Sequence, residues 1–396
     1  MSPSPRFIVN EDETLRIVDA NQEFLASLDR LTTDFPPVHT CSTGWKFEGF
    51  YNGPTSIAYL FYRLSQIFPV MEFKQQYFRD WAEAYLDLGA RRTKRDPTYT
   101  NCGITNETLA YLSLTAVMDR DINIVRRVCS FADDINYKYH IGADEWMYGR
   151  AGYLYFLRLC GTLVKETEDP ESGTAKLLDK AVQDTMWRIL DNFRPHSPYG
   201  KNYSGAAHGT IGTITQLFLT DRTTAWSTHE KVLRLLEEQL PSGNFPPHAR
   251  RRTERADPDP DPELDQLVQF CHGAPGFNIA LRSLLPLFPQ HALAQTEAAM
   301  ARAETDIWRR GVLAKNPCLC HGIPGNALAL HTASHERFLH FLSWMSDEEM
   351  RDRGWLARER RDGMSAGLYT GEAGRVWVWA VAVRRGPRVL IGFNDI

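Results

Sequence analysis

The sequence lacks a long apolar run and a marked excess of charge of either sign. No stretch approaches the roughly 20 apolar residues of a membrane span, so we expect no transmembrane segment. The residues after Met1 lack the apolar core of a signal peptide, and Ser2 excludes N-terminal myristoylation, which requires glycine there. The formal net charge of -4 at pH 7 gives no attraction to nucleic acid or to an anionic membrane. We therefore expect a soluble protein without a nucleic-acid partner.

Cysteine is scarce as well. The 396 residues include 7 cysteines, an odd number without the close spacing of a disulfide framework. This usage indicates a reducing compartment with free thiols or bound metal, and we expect a cytoplasmic location. Apolar residues make up 43% of the chain and charged residues 24%, which is ordinary for a globular protein with a sizeable core.

A Gly-x-x-Gly motif followed by an apolar run recurs along the chain. Five copies keep both glycines and begin at Gly149, Gly209, Gly273, Gly322 and Gly371. Two earlier copies begin at Gly53 and Gly103 and carry Ser56 and Asn106 in place of the second glycine. Glycine allows a sharp turn and a close approach between backbones. Seven copies in series predict seven structural repeats.

The apolar runs after these motifs differ from the segments between them. Residues 376–383 are apolar nearly all round, which predicts a buried helix, although valine and tryptophan would also suit a strand. Other segments are amphipathic and predict helices with one buried stripe. One stripe is Phe24, Leu25, Leu28 and Leu31, which follow residues 11–20 in a first helix. The other stripe is Phe73, Tyr77, Trp81, Tyr85 and Leu88.

These patterns predict an all-α fold. Seven pairs of helices would form an (α/α) toroid, a double barrel of seven inner and seven outer helices in which no repeat is left exposed at an end. We expect residues 1–396 to form this single domain. Charged residues and prolines over about 249–263 predict a solvated loop, which we favour over a basic contact with phosphate or nucleic acid because acidic residues follow at once.

Two Cys-His pairs, Cys271-His272 and Cys320-His321, each stand directly before a Gly-x-Pro-Gly turn. They lie about fifty residues apart, so they converge only if the chain repeats geometrically. Their recurrence in one repeat context indicates two halves of a zinc site, since zinc binds thiolate and imidazole well. His272 and the nearby Cys318 are alternative ligands at this point.

Several segments carry a resemblance to a known family. The segments are 148–153, 205–209, 241–247, 271–276, 320–322 and 368–374. In this order they resemble the lanthionine synthetase C-like family, most closely its eukaryotic branch, over nearly the whole chain. The resemblance implies a double barrel of fourteen helices with zinc at one end, held by Cys271, Cys320 and His321. Ser56 and Asn106 depart from the pattern and put the tight turns there in doubt.

The resemblance also implies a chemistry for the inner loops. Zinc bound by two thiolates would activate a substrate thiol for alkylation. His208 would protonate an enolate or orient the acceptor, since the ordinary pKa of histidine is near 6.5. Glu145 stands where bacterial members carry a catalytic aspartate, and it acts either as a general acid or base or by holding its loop.

Substrates follow from the eukaryotic branch, in which glutathione adds to dehydroalanine or dehydrobutyrine residues of proteins. Lys315 and Arg360 fall on positions that would bind the carboxylates of glutathione, and Arg6 fits more loosely; exposed surface charges are the alternative. The resemblance thus implies a zinc-dependent enzyme. Two alternatives stay open: a lanthionine-forming peptide cyclase, disfavoured because no dehydratase domain is present, and a non-catalytic glutathione- or partner-binding receptor with structural zinc.

Overall fold

The computed structural model describes residues 6–10, 14–38, 44–90, 95–140, 142–191, 202–249, 262–356 and 366–396. The helices in these ranges are α1 (Ala20–Asp34), α2 (Pro54–Ile67), α3 (Phe78–Ala90), α4 (Glu107–Asp119), α5 (Ile122–Ser130), α6 (Ala132–Asn136), α7 (Arg150–Thr167), α8 (Gly173–Asp191), α9 (Thr210–Thr220), α10 (Arg222–Ala225), α11 (His229–Leu236), α12 (Ala274–Leu284), α13 (Gln290–Arg310), α14 (Ile323–Ala329), α15 (His335–Ser343), α16 (Asp347–Asp352) and α17 (Glu372–Arg384). The same ranges contain four two-residue strands, which form the antiparallel pairs β1–β4 and β2–β3: β1 (Phe7–Ile8), β2 (Glu72–Phe73), β3 (Gln76–Tyr77) and β4 (Val312–Leu313).

An inner ring is built from the helices that follow the glycine motifs. In order these are α2, α4, α7, α9, α12, α14 and α17, and each packs against the next. The ring closes because α17 packs against α2. Six of these helices begin after a glycine, and α4 begins after Asn106.

Each inner helix carries an outer partner. The pairs are α2 with α3, α4 with α5, α7 with α8, α9 with α11, α12 with α13, α14 with α15, and α17 with α1. The predicted all-α toroid of seven inner and seven outer helices is confirmed in the described part of the chain. Most of the loop expected at 249–263 lies outside the described residues; from its end, Pro262–Asp265 forms a short 3-10 turn.

Burial separates the two rings as the apolar patterns predicted. Every residue of α17 from Glu372 to Ala382 is buried, and the run 376–383 is helical rather than extended. Outer helices bury one side only; in α5 the buried residues are Val125, Val128 and Cys129. A helix enclosed by neighbours on all sides requires apolar residues all round, whereas a helix facing water requires a stripe.

Two helix starts differ from the sequence prediction. The first helix begins at Ala20, where the Asp19 carboxylate accepts hydrogen bonds from the backbone of the first turn, and Leu25 is 43% exposed rather than part of the buried stripe. The second stripe is wrong at its start, because Phe73 and Tyr77 lie in the β2–β3 hairpin. The chain turns there at Lys74 and Gln75, whose φ angles are 50° and 62°. The three- to four-residue spacing of apolar residues continues across this turn, although the chain is not helical there.

The loops that precede the inner helices pack closely at one end of the ring. A Cβ atom at Gly103 would lie 2.4 Å from the carbonyl oxygen of Met147 in the next loop. The substituted copies keep their turns: Asn106 N donates to Gly103 O at 2.8 Å, and Ser56 N donates to Gly53 O at 3.1 Å. Polar side chains therefore replace the second glycine without opening the turn.

Residues 390–395 contact the inner helices and the loops together. Leu390, Ile391 and Phe393 are fully buried. The Asp395 carboxylate accepts hydrogen bonds from Tyr59 of α2, at 3.0 Å, and Tyr155 of α7, at 2.9 Å. This segment fills the space that the inner ring encloses. None of the described helices is both long and apolar enough to cross a membrane.

Candidate functional site

Backbone hydrogen bonds join the glycine loops in ring order. Cys271 N donates to Cys320 O at 3.1 Å, and Cys320 N donates to Tyr369 O at 3.1 Å. Tyr369 N donates to Tyr51 O at 3.0 Å, which connects the last loop to the first. Residues far apart in sequence are thereby fixed side by side, and their side chains converge.

Cys271, Cys320 and His321 form a group that could hold a metal ion. One ligand atom from each of the three side chains lies within 4.8 Å of the others. Cys271 is 8% exposed and Cys320 is 5% exposed, while His321 is partly buried. The structure therefore brings together the three residues that the resemblance implied. Cys318, considered as an alternative ligand, contacts the His321 side chain.

The electrostatics of this group suit a divalent cation. A hydrogen bond with the Cys271 thiol and burial raise the pKa of Cys320 well above its ordinary value. Hydrogen bonds with Cys318 and then Cys320 raise the pKa of His321 to about 10. Without a cation Cys320 and His321 therefore hold their protons more tightly than an ordinary thiol and imidazole do. Two thiolates and an imidazole are the donors that zinc prefers, so the residues fit such an ion.

Two residues that the sequence did not single out contact the sulfur atoms. The Gln269 side chain donates from Nε2 to Cys271 Sγ at 3.2 Å. The Tyr51 hydroxyl makes a hydrogen-bonding contact with the Cys320 side chain. Neither residue belongs to a recurring motif, so no sequence pattern could have identified them.

Lys315 and Arg6 lie beside this group of side chains. Lys315 Nζ donates to Gln269 Oε1 at 3.0 Å. Pairing of β1 with β4 brings Arg6 close, because Ala314 N donates to Arg6 O at 2.9 Å. Burial lowers the pKa of Lys315 and the Arg6 charge acts in the same direction, while the cysteine sulfurs oppose both. Arg360, the third cation implied by the resemblance, lies outside the described residues.

His208 and Glu145 meet on adjacent loops. His208 Nδ1 lies 3.4 Å from Glu145 Oε2, and Glu145 is 4% exposed. The same carboxylate accepts hydrogen bonds from Met147 N and Tyr148 N, each at 2.6 Å. Glu145 thus holds its own loop and also contacts the imidazole. The geometry shows the loop-holding function, whereas a general acid or base function of Glu145 stays a prediction.

Aromatic rings surround His208. The Tyr148 ring stacks at 5.7 Å, the Tyr203 ring lies at 6.1 Å, and the His272 ring lies at 6.2 Å. His272, considered as an alternative metal ligand, is turned toward these rings and is not part of the three-residue group. Burial, with the His208 and His248 charges, lowers the pKa of His272 to about 4.

A closed helical toroid with a Cys-Cys-His group at its loop end defines the class of this protein. The sequence model of the family described as "Lanthionine synthetase C-like protein" matches residues 45–380, most of the chain. The chain therefore belongs to the lanthionine synthetase C-like family.

Two similar proteins illustrate the relationship. "Glutathione S-transferase LANCL1" of Danio rerio is 29% identical over 211 residues, which cover 49% of this chain and 48% of the relative. The match thus spans about half the length of that curated relative. The solved structure of "Nisin cyclase" is similar with a TM-score of 0.54 at 13% identity, and the superposition covers 93% of this chain and 94% of that one. This likeness shows the fold.

Proposed function

We propose that this protein is a zinc-dependent enzyme that activates the thiol of glutathione for conjugate addition to dehydroalanine or dehydrobutyrine residues in proteins or peptides. The observation that carries the proposal is the convergence of Cys271, Cys320 and His321 within 4.8 Å. Similarity to a relative that is itself named a glutathione S-transferase supports the choice of thiol.

The three residues would hold the metal through two sulfurs and one imidazole nitrogen. Zinc bound there would lower the pKa of the substrate thiol and keep its sulfur nucleophilic. The two cysteines are largely buried, so neighbouring residues shield them from bulk water.

Lys315 and Arg6 would bind the carboxylates of glutathione. Lys315 is held by Gln269, whose amide also contacts Cys271, so the cation lies next to the candidate metal ligands. Arg6 is exposed and reaches the same area through the β1–β4 pair. A guanidinium group and an ammonium group both form strong hydrogen bonds to carboxylates. The two cations would orient the tripeptide with its thiol toward the metal ligands.

His208 would supply the proton that completes the addition. The thiolate lone pair forms a bond to the β-carbon, the π electrons move to the α-carbon, and the α-carbon accepts one proton. Glu145 faces His208 Nδ1 and so leaves Nε2 as the ring nitrogen for the substrate. Glu145 therefore acts as a positioning residue for His208.

The test is to incubate the zinc-loaded protein with glutathione and a dehydroalanine-containing peptide. We expect a peptide mass gain of one glutathione, with stoichiometric zinc in the wild type. Cys320→Ala should lose both zinc and adduct formation. As a matched control, Cys160→Ala changes a buried cysteine remote from the metal group and should retain both.

Two outcomes would contradict the proposal. If the zinc-loaded wild type binds glutathione but forms no adduct, the protein is a receptor with a structural metal. If a dehydrated peptide cyclises through its own cysteine faster than glutathione adds, the protein is a cyclase. Metal analysis of each sample distinguishes either result from loss of zinc.

A further inference from the structure

Both candidate ligand sulfurs have a neutral polar side chain beside them. The Gln269 amide contacts Cys271, and the Tyr51 hydroxyl contacts Cys320. A thiolate has no proton to donate, so next to a metal-bound thiolate each neighbour acts as a hydrogen-bond donor. The site therefore provides one donor for each of its two sulfurs.

The orientation of Gln269 is fixed by chemistry. Lys315 Nζ lies 3.0 Å from Gln269 Oε1, and an ammonium group only donates hydrogen bonds. The oxygen of the amide must face Lys315, so its NH2 group faces Cys271 Sγ at 3.2 Å. The lysine thus keeps the amide from turning its oxygen toward the sulfur, where it would repel a thiolate.

The position of Tyr51 is fixed by the backbone. Its carbonyl accepts a hydrogen bond from Tyr369 N, and Tyr369 O accepts one from Cys320 N. The two tyrosine rings stack with centroids 5.4 Å apart and planes 11° apart. Removing the hydroxyl leaves these contacts in place, so Tyr51→Phe deletes the donor alone.

A dehydroalanine residue is an electrophile, and at the proposed site it would meet the protein's own sulfurs as well as that of glutathione. Hydrogen bonds withdraw electron density from a thiolate and weaken it as a nucleophile. We propose that Gln269 and Tyr51 protect Cys271 and Cys320 from alkylation, so that the acceptor reacts with the substrate thiol. This inference rests on the proposed function, which supplies the electrophile.

The reaction that is prevented can be written in full. The lone pair of a cysteine sulfur would form a bond to the β-carbon of dehydroalanine. The π electrons would move to the α-carbon, which would take a proton from water. The cysteine would become a neutral thioether and a poor ligand for zinc, so each such event would inactivate one molecule.

The test measures alkylation of the zinc-loaded, full-length protein without glutathione. Wild type, Tyr51→Phe and Gln269→Met are exposed to a dehydroalanine peptide and, separately, to iodoacetamide, and each cysteine is followed by peptide mass mapping. We expect Tyr51→Phe to speed modification of Cys320, and Gln269→Met that of Cys271, on the order of tenfold, because a hydrogen bond to a charged group corresponds to roughly one or two factors of ten.

Tyr62→Phe and Gln66→Met are matched controls. These two side chains hydrogen-bond to each other at 3.1 Å near the end of α2, away from the sulfurs. Both variants should react at the wild-type rate. In cobalt-substituted protein, Tyr51→Phe and Gln269→Met should shift the sulfur-to-cobalt charge-transfer band and keep its intensity, since the ligands stay while their hydrogen bonds are lost.

Two results would overturn the inference. One is an unchanged rate at Cys320 and Cys271 in the respective variants. The other is an equal rise in the modification rate of Cys318, which would indicate that the metal was lost and not that a ligand was left unprotected. Faster modification in a protein that never transfers glutathione would support the protection and refute the proposed function. Efficient glutathione transfer, together with unchanged cysteine reactivity in the two variants, would support the proposed function and refute the protection.

Discussion

A buried ionic network beside the site gives a quantitative test of the fold. Glu372, at the start of α17, is 2% exposed and forms ion pairs with Arg375 and Arg30. Its carboxylate also accepts a hydrogen bond from Ser27, and Arg375 Nη1 donates to Pro317 O at 3.0 Å. The network therefore connects α17 with α1 and with the loop that carries Cys320.

Glu372→Gln removes the negative charge of this network. Burial alone would raise the pKa of Glu372, but the Arg375 and Arg30 charges outweigh it and lower the pKa from 4.5 to about 2. A difference of this size corresponds to about 3 kcal/mol in the free energy of unfolding at neutral pH. Removing one partner of a buried ion pair costs about 3–5 kcal/mol, which is consistent with this value.

The sign of the pH dependence follows from the lowered pKa. The stabilisation is complete above about pH 4.5 and is lost as pH falls toward 2. We expect the difference between wild type and Glu372→Gln to be about 3 kcal/mol at pH 6 and less than half of that at pH 3, from guanidinium denaturation with a chelator in both samples. A difference below about 1 kcal/mol at pH 6, or one that does not change with pH, would refute the reasoning.

Three further outcomes are expected. Gly103→Ala should destabilise the protein by about 1–3 kcal/mol in thermal denaturation because its Cβ would lie 2.4 Å from Met147 O, whereas Gly173→Ala, with nothing within 4 Å, should not. In the proposed mechanism Glu145 positions His208 without touching substrate, so Glu145→Gln should lower kcat for glutathione addition by about tenfold or more with little change in KM. A change in KM alone would contradict this. Chelation should abolish addition, readdition of zinc should restore it, and a chelator-resistant rate measured by peptide mass would exclude a metal-dependent reaction.

The ring and the convergence of its loops could be predicted because one signal repeats. Each Gly-x-x-Gly motif marks the start of an inner helix, so a Cys-His pair at the same place in two repeats must reach the same end of the toroid. Phe73 and Tyr77 were wrongly predicted to be helical, because they lie in a tight hairpin although their spacing matches that of a helix. The spacing of apolar residues indicates which side chains are buried, but it does not reveal a two-residue backbone turn between them.

The contacts to the sulfurs lay beyond sequence analysis for a different reason. Gln269 reaches Cys271 from the same loop, but its amide is oriented by Lys315 of another repeat. Tyr51 reaches Cys320 from the opposite end of the chain, across the junction that closes the ring. Both contacts depend on which loops become neighbours and on side-chain orientation, which a single sequence does not encode locally.

The interior of the closed ring also supports the loops that carry the candidate site. Seven inner helices enclose a space that apolar side chains must fill, and residues 390–395 supply Phe393, which packs against Trp146 and Phe270 at 5.5 Å and 5.2 Å. Trp146 directly follows Glu145, and Phe270 directly precedes Cys271. Two residues that pack inside the barrel are therefore adjacent in sequence to Glu145, the proposed positioning residue, and to Cys271, a candidate metal ligand. Because close-packed interiors transmit displacements, a change in this interior segment should shift the loops without touching any residue of the site.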